Sequence, residues 1–246
     1  MRALSQKLSS LELMTEGDDT ILESLHSRTV NYPAGAMVQR EKGPTKLTRF
    51  VISGWALRFC TSPDGARQIV NFLLPGDSIG LYGALFSRST SGVQAMTDMT
   101  LAEIPSIEMT DVFLKSARLG AALCWMAGQD ERFLEQHIFR IGSLHARPRL
   151  AHLLVELQTR LLRAGTPPAQ ASTLPITQRL IAEALGISHV HANRCCRDLV
   201  KMGLIETSMG STTLLESEKL KTLGAYDELY NARIPPPVIQ RLNRIR

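Results

Sequence analysis

The rhythm of apolar and polar positions changes three times along this chain of 246 residues. In 1–27, Leu11, Leu13, Ile21, Leu22 and Leu25 predict a partly helical start, with Thr20 as a candidate cap. From Thr29 to about Pro105 the segments MVQREK, RFVIS, WALRFC, RQIVNFLL, GVQAM and LAEI are short and alternating. Successive strand side chains point to opposite faces, so such segments predict half-buried strands. Pro63-Asp64-Gly65 and Leu74-Pro75-Gly76-Asp77 read as turns. Proline presets one dihedral there and glycine supplies a positive φ. Many short strands at this spacing predict an antiparallel sandwich or roll.

Helical periodicity returns over 108–145. Leu119, Leu123, Met126, Phe133, His137 and Ile141 make one stripe, which Ala127, Leu134 and Ile138 widen. The pattern predicts a helix of about 25 residues, longer than most globular helices. One small roll does not cover such a length, so part of the stripe is expected to meet a second copy of the chain. Gln129 and Asp130 interrupt the stripe and are candidates for fixing its register. Pro148 fits the first turn of a new helix, where its missing N–H costs nothing, and that helix runs to about Arg163. AGTPPAQAST then reads as a loop.

The stretch from Ile176 to Ile205 carries the strongest local signal. Leu180, Ile181, Ala184 and Leu185 recur at helical spacing, and Gly186 ends that helix. Ser188 is a good N-cap for a second helix. Ala192, Cys195, Cys196, Leu199 and Val200 share one apolar face of it. Arg194, Arg197 and Lys201 lie opposite, and the first turn exposes His189, Val190 and His191. Together these read as a helix-turn-helix, whose second helix enters the major groove of double-stranded DNA. Ile205 to Glu216 holds two β-prone arms around Met209-Gly210, a hairpin in the position of a wing. A last helix is expected over about Ser217–Tyr230. Pro235, Pro236 and Pro237 then predict an extended tail.

Composition narrows the function. The chain is 44% hydrophobic and 21% charged, and no apolar run approaches the ~20 residues needed to span a bilayer. The N-terminal stretch lacks an apolar signal-peptide core, so a cytoplasmic protein with no membrane partner is expected. Four cysteines without CxxC spacing fit a reducing compartment. The net charge of +5 is uneven: 1–146 is slightly acidic, while the excess of Lys and Arg lies in 147–246. A phosphate-binding surface needs that excess beside the helix-turn-helix. His191 and Cys195 are four apart, but two ligands do not make a metal site. A cupin-like β-roll enzyme would need clustered His and carboxylate ligands, and 28–106 contains no histidine. A non-DNA signalling adaptor is disfavoured by the basic C-terminal half. No catalytic residues are identified.

Pro-Gly-Asp-x-x-Gly at Pro75–Gly80, a long helix, and a winged helix-turn-helix from Ile176, in this order, resemble the Crp/Fnr family of bacterial transcription regulators. The resemblance implies an α+β fold: an N-terminal antiparallel β-roll of the cyclic-nucleotide-binding type, a long dimerisation helix and a C-terminal winged helix-turn-helix. It implies a sensor over 1–115, a dimer helix over 116–145, a DNA-binding domain over 146–220 and a tail over 221–246. It also implies a homodimer on a palindromic site, controlled by a signal in the roll, and contact with RNA polymerase where the protein activates.

By position, Ser188 and Arg194 match the frame of the family's recognition helix, while His189 and Val190 replace its usual arginine and glutamate. Arg194 keeps bidentate access to guanine, and valine at best touches a thymine methyl. Base reading is therefore expected from Arg194, His189 and His191. Asn193 and Arg197 are also placed on the DNA-binding surface, with Thr177 and Gln178 meeting phosphate at a helix N-terminus. The implied effector pocket comprises Gly80, Leu81, Tyr82, Gly83, Arg88 and Ser91. Leu81 stands where cyclic-AMP-binding members have glutamate, and Ser91 stands where they have arginine, with Arg88 nearby. Cyclic nucleotide is not expected. Nor is an iron–sulfur cluster, whose N-terminal cysteine set is missing, or haem, since Cys60 is the only cysteine and there is no histidine in 28–106. Cys195 and Cys196 suggest that oxidation would block DNA binding.

Overall fold

The computed structural model describes residues 16–227 and 235–242, so Leu11 and Leu13 lie outside the described residues. These fall into two compact units: 16–58, 73–131 and 235–242 in the first, 59–72 and 132–227 in the second.

The alternating segments form β1 (Arg28–Tyr32), β2 (Met37–Gln39), β3 (Leu47–Ser53), β4 (Ala56–Thr61), β5 (Arg67–Leu73), β6 (Ser78–Ile79), β7 (Gly92–Ala95) and β8 (Met99–Pro105). They make two four-stranded sheets, ordered β1-β8-β3-β6 and β2-β7-β4-β5. In the first sheet Arg28 pairs with Glu103 and Phe50 with Ala102, and the register shifts between Val51 and Ser53. Inward positions of both sheets, among them Val38, Val51, Val93, Met99 and Leu101, form one aliphatic cluster. The Pro75–Gly80 turn is held by Asp77, whose Oδ2 accepts from the Leu74 N–H at 2.8 Å.

A first helix, α1 (Glu16–Ser24), begins four residues before Thr20, so Thr20 lies inside it rather than capping it. The helical stretch after the roll is two helices, α2 (Glu108–Lys115) and α3 (Ala117–Ser143). Ser116 breaks them because its Oγ accepts from the Leu119 N–H at 3.1 Å and donates to Asp18 at 2.7 Å. Leu22, Phe50, Ile104, Met109, Leu119, Leu123 and Met126 pack as a second apolar cluster. Each such side chain contributes about 1.5–3 kcal/mol relative to exposure. Asp130 pairs with Arg58 at 3.3 Å, and Gln129 is buried. Leu134 and Ile138, which widen the stripe, are exposed, Ile138 by 65%.

The second unit continues with α4 (Ala146–Arg163), α5 (Pro168–Ala171), β9 (Thr173–Leu174), α6 (Gln178–Leu185), α7 (His189–Lys201), β10 (Ile205–Ser208), β11 (Ser211–Leu214) and α8 (Ser217–Leu223). The expected loop at 164–173 thus contains a helical turn, which Pro168 starts without sacrificing a hydrogen bond. The strands form an antiparallel sheet in the order β10-β11-β9. Leu150, Leu154, Leu157, Ile181, Leu185 and Leu199 are fully buried. On α4 an otherwise apolar stretch carries Glu156, which accepts from Arg140 Nη1 at 2.8 Å and from Arg160 Nη1 at 3.3 Å. Arg160 also donates to the Asn71 side chain and the Phe72 carbonyl on β5, and lies 4.1 Å from the Phe133 ring centroid.

The last expected helix stops at Leu223, where Gly224 packs so closely on α4 that a Cβ would stand 2.5 Å from the His152 nitrogen. Residues 228–230 lie outside the described set. The proline-rich tail is not extended throughout. Pro236–Leu242 forms α9, whose first-turn prolines need no N–H partner, and Ile239 packs against the helical cluster of the first unit.

Candidate nucleic-acid interface

Thr177 begins α6: its side chain accepts from the Leu180 N–H at 3.3 Å. Such a cap satisfies one of the donors that every helix start leaves unpaired. Gly186 closes the helix at φ 63°, a left-handed conformation open to glycine at little cost. Two residues on, Ser188 Oγ accepts from the His191 N–H at 3.2 Å and starts α7. The turn between two capped helices thus follows from three side chains, Thr177, Gly186 and Ser188.

Packing then divides α7 into faces. Ala192, Cys195, Cys196 and Leu199 are buried, whereas His189, Val190, His191, Arg194 and Arg197 are exposed. Val200, assigned to the apolar face by its spacing, is 41% exposed, since it follows Leu199 around the wheel toward solvent. Asn193 Nδ2 donates to Gln178 Oε1 at 2.5 Å, tying α7 to the start of α6. Arg147 of α4 pairs with Asp198 at 2.8 Å. Burial pushes the Cys195 thiol up and the Cys196 thiol up to about 11. His191 is exposed while Cys195 is buried, so the two do not meet at one ligand position.

The hairpin β10–β11 turns at Met209-Gly210 and pairs Ser208 with Ser211, whose hydroxyls lie 2.6 Å apart. Between the start of α6 and this hairpin runs a groove of about 270 Å³, lined by Thr177, Gln178, Arg179, His189, Thr207, Ser208, Gly210 and Ser211. Hydroxyls and a guanidinium beside a helix N-terminus suit an anion. The hydroxyl side chains of the wing and Arg179 were not singled out from the sequence. The run Glu-Thr-Ser-Met-Gly-Ser-Thr-Thr and the basic residue next to Gln178 are the signals that carry them.

The residues of the expected effector pocket are held by local contacts. Leu81 packs on the helical cluster, Tyr82 is exposed, and Gly83 is buried with its N–H donating to the Gly80 carbonyl at 2.8 Å. Arg88 Nη1 donates to the Lys42 carbonyl at 2.9 Å. Ser91 is held locally, its carbonyl accepting from Ser89 Oγ at 2.8 Å.

A family model described as a cyclic nucleotide-binding domain matches residues 29–116, and one described as a Crp-like helix-turn-helix domain matches 148–223. The nitrogen fixation regulation protein FixK of Bradyrhizobium diazoefficiens is 26% identical over 198 residues, 80% of this chain and 82% of that protein. The transcriptional activator protein anr of Pseudomonas aeruginosa is 25% identical, over 87% of this chain and 86% of its own. Among solved structures, FixK2 from Bradyrhizobium japonicum shares the fold with a TM-score of 0.73 at 22% identity, covering 82% of this chain and 100% of that one. With an antiparallel roll followed by a capped, basic helix-turn-helix and its wing, and with both matched models in that order, the chain belongs to the Crp/Fnr family of transcription regulators.

Proposed function

We propose that the protein acts as a homodimer on a two-fold symmetric duplex site, under control of a signal received by the roll over 1–115. The observation that carries the DNA reading is the division of α7: one face buried, and His189, Val190, His191, Arg194 and Arg197 together on the other. Arg194 reads guanine bidentately, His189 and His191 approach neighbouring base edges, and Val190 touches a thymine methyl. Thr177, Arg179 and the wing hydroxyls take backbone phosphates and fix register. Gln178 and Asn193 act through each other, holding α6 on α7.

Dimerisation is assigned to α3, within 116–145. Leu134, Ile138 and Ile141 recur at intervals of four and three on one face, the seam spacing of paired helices, and Leu134 and Ile138 are exposed. Where the regulator activates, RNA polymerase is its further partner. Cyclic nucleotide does not fit the roll. Leu81 offers no acceptor for a ribose hydroxyl, Ser91 stands in place of the arginine that would pair with a cyclic phosphate, and a buried phosphate without a paired arginine is poorly compensated.

Selection of bound duplexes from a random pool tests the reading. A palindrome is expected. Arg194→Ala is expected to cost about 1–3 kcal/mol on the selected site and to relax choice at one base pair. Unchanged affinity and sequence choice would remove Arg194 from the reading surface.

A further inference from the structure

The tip of the β4–β5 hairpin belongs to the same compact unit as the helix-turn-helix. Arg67 on that tip approaches Glu183 of α6 in a fork: Nε lies 2.7 Å and Nη2 2.6 Å from Oε2. The other carboxylate oxygen, Oε1, accepts from Arg179 Nε at 3.1 Å. Glu183 and Arg67 are mostly buried, with side chains 17% and 24% exposed, whereas the Arg179 side chain is 78% exposed. Gln68 adds a second tie, its Nε2 donating to the Ala184 carbonyl at 3.1 Å, and the Arg67 guanidinium lies 5.1 Å from the Phe59 ring centroid. Glu183, Arg179 and His189 line one open groove, so this carboxylate stands beside the side chains placed against DNA.

We propose that Arg67 is a positioning residue for DNA binding: it neutralises Glu183 and thereby leaves Arg179 available to a backbone phosphate. An acidic group on a DNA-facing helix repels the phosphates, which supply most of the sequence-independent affinity. With Arg67 in place, Glu183 is compensated from the hairpin side by a short, charge-assisted pair, the stronger of its two contacts. Were Arg67 withdrawn, Glu183 would have Arg179 as its remaining cation and would compete with DNA for it. A displacement of β5 in the roll would then change the charge that α6 presents to a duplex.

The inference rests on the reading that α6 and α7 face DNA. Its test is a double-mutant cycle on the duplex that the unaltered full chain recovers from a random pool, with affinity measured at several salt concentrations and folding followed by thermal melts. Arg67→Ala is expected to weaken binding about two- to fivefold, the range for one partly screened ion pair beside a polyanion. Glu183→Gln is expected to bind at least as tightly as the parent, and the double variant to match Glu183→Gln. Rescue by Glu183→Gln is the outcome that a mere structural tie does not produce, because both single changes break the same pair. If Glu183→Gln weakened binding as Arg67→Ala does, the pair would be only a tie and the proposal would fall. If Arg67→Ala cost as much in the Glu183→Gln background, Arg67 would act on DNA by another route, and the proposal would fall. Parental affinity in Arg67→Ala would overturn it as well. If the unaltered chain recovered no duplex, the DNA reading itself would be wrong and this inference with it.

Discussion

At the scale of single residues, two kinds of position govern the molecule: those with no room and those with no water. Gly83 is of the first kind. An added Cβ would stand 2.5 Å from Ser106 Oγ and 2.7 Å from the Thr45 carbonyl, the latter part of the fixed backbone. Gly83→Ala is therefore expected to destabilise by about 1–3 kcal/mol, as overpacking does, read from the midpoint of urea unfolding. Cys195 and Cys196 are of the second kind. The thiolate is the reactive form, and burial keeps both groups as thiols at neutral pH, Cys196 up to about 11. Peroxide is therefore expected to leave DNA affinity unchanged, against the oxidation switch that an adjacent cysteine pair suggests in the sequence. Asn193 shows how a side chain can look available on a helical wheel and yet be engaged: Gln178 lies on another helix, and no local pattern reports that contact.

At the scale of elements, the proposed dimer rests on α3. Ile138→Glu places a charge on its exposed apolar face without touching the buried one. It is expected to shift the protein toward monomer in sedimentation velocity and to weaken binding to a palindrome while sparing a single half-site. The elements themselves were largely legible, because strand alternation, the capped turn at Gly186–Ser188 and the Met209-Gly210 hairpin are local features with local causes. What stayed illegible depends on distant partners. The side of the α3 stripe that faces inward is settled by which neighbours cover Phe133 and His137. The helix at Pro236–Leu242 was hidden by prolines that happen to fall in its first turn, where they are harmless. The buried trio Arg140, Glu156 and Arg160 was hidden because charges on an amphipathic helix read as solvated unless the fold is known.

At the scale of the whole molecule, that trio and the histidines beside it tie stability to pH. Burial, and then the Arg140 charge, lowers the His137 pKa from 6.5 to about 4. The unfolded chain therefore takes up a proton below 6.5 that the folded chain refuses until about 4, so stability falls as pH drops through this window. His152 acts in the same direction through its burial. For Glu156, burial alone would raise the pKa, but Arg140 and Arg160 outweigh it and hold the carboxyl below the ordinary 4.5. Its contribution is present above 4.5 and is lost on further acidification. The melting temperature is expected to decline steadily from neutral pH to about pH 4, and less steeply in His137→Gln between 6.5 and 4, by calorimetry at matched ionic strength.

The grouping of the hairpin tip with the helix-turn-helix has a consequence for how such chains recombine. A crossover placed before α4 looks natural on paper, since it separates the roll from the DNA reader at a helix boundary. In this chain it would leave Arg160 without Asn71 and Phe72, and Glu183 without Arg67. A chimaera that borrows its roll from a relative must therefore carry residues 59–72 along with its own reader, so the heritable module is discontinuous in sequence, and a graft drawn at one point in the chain would inherit mismatched halves of the same contacts.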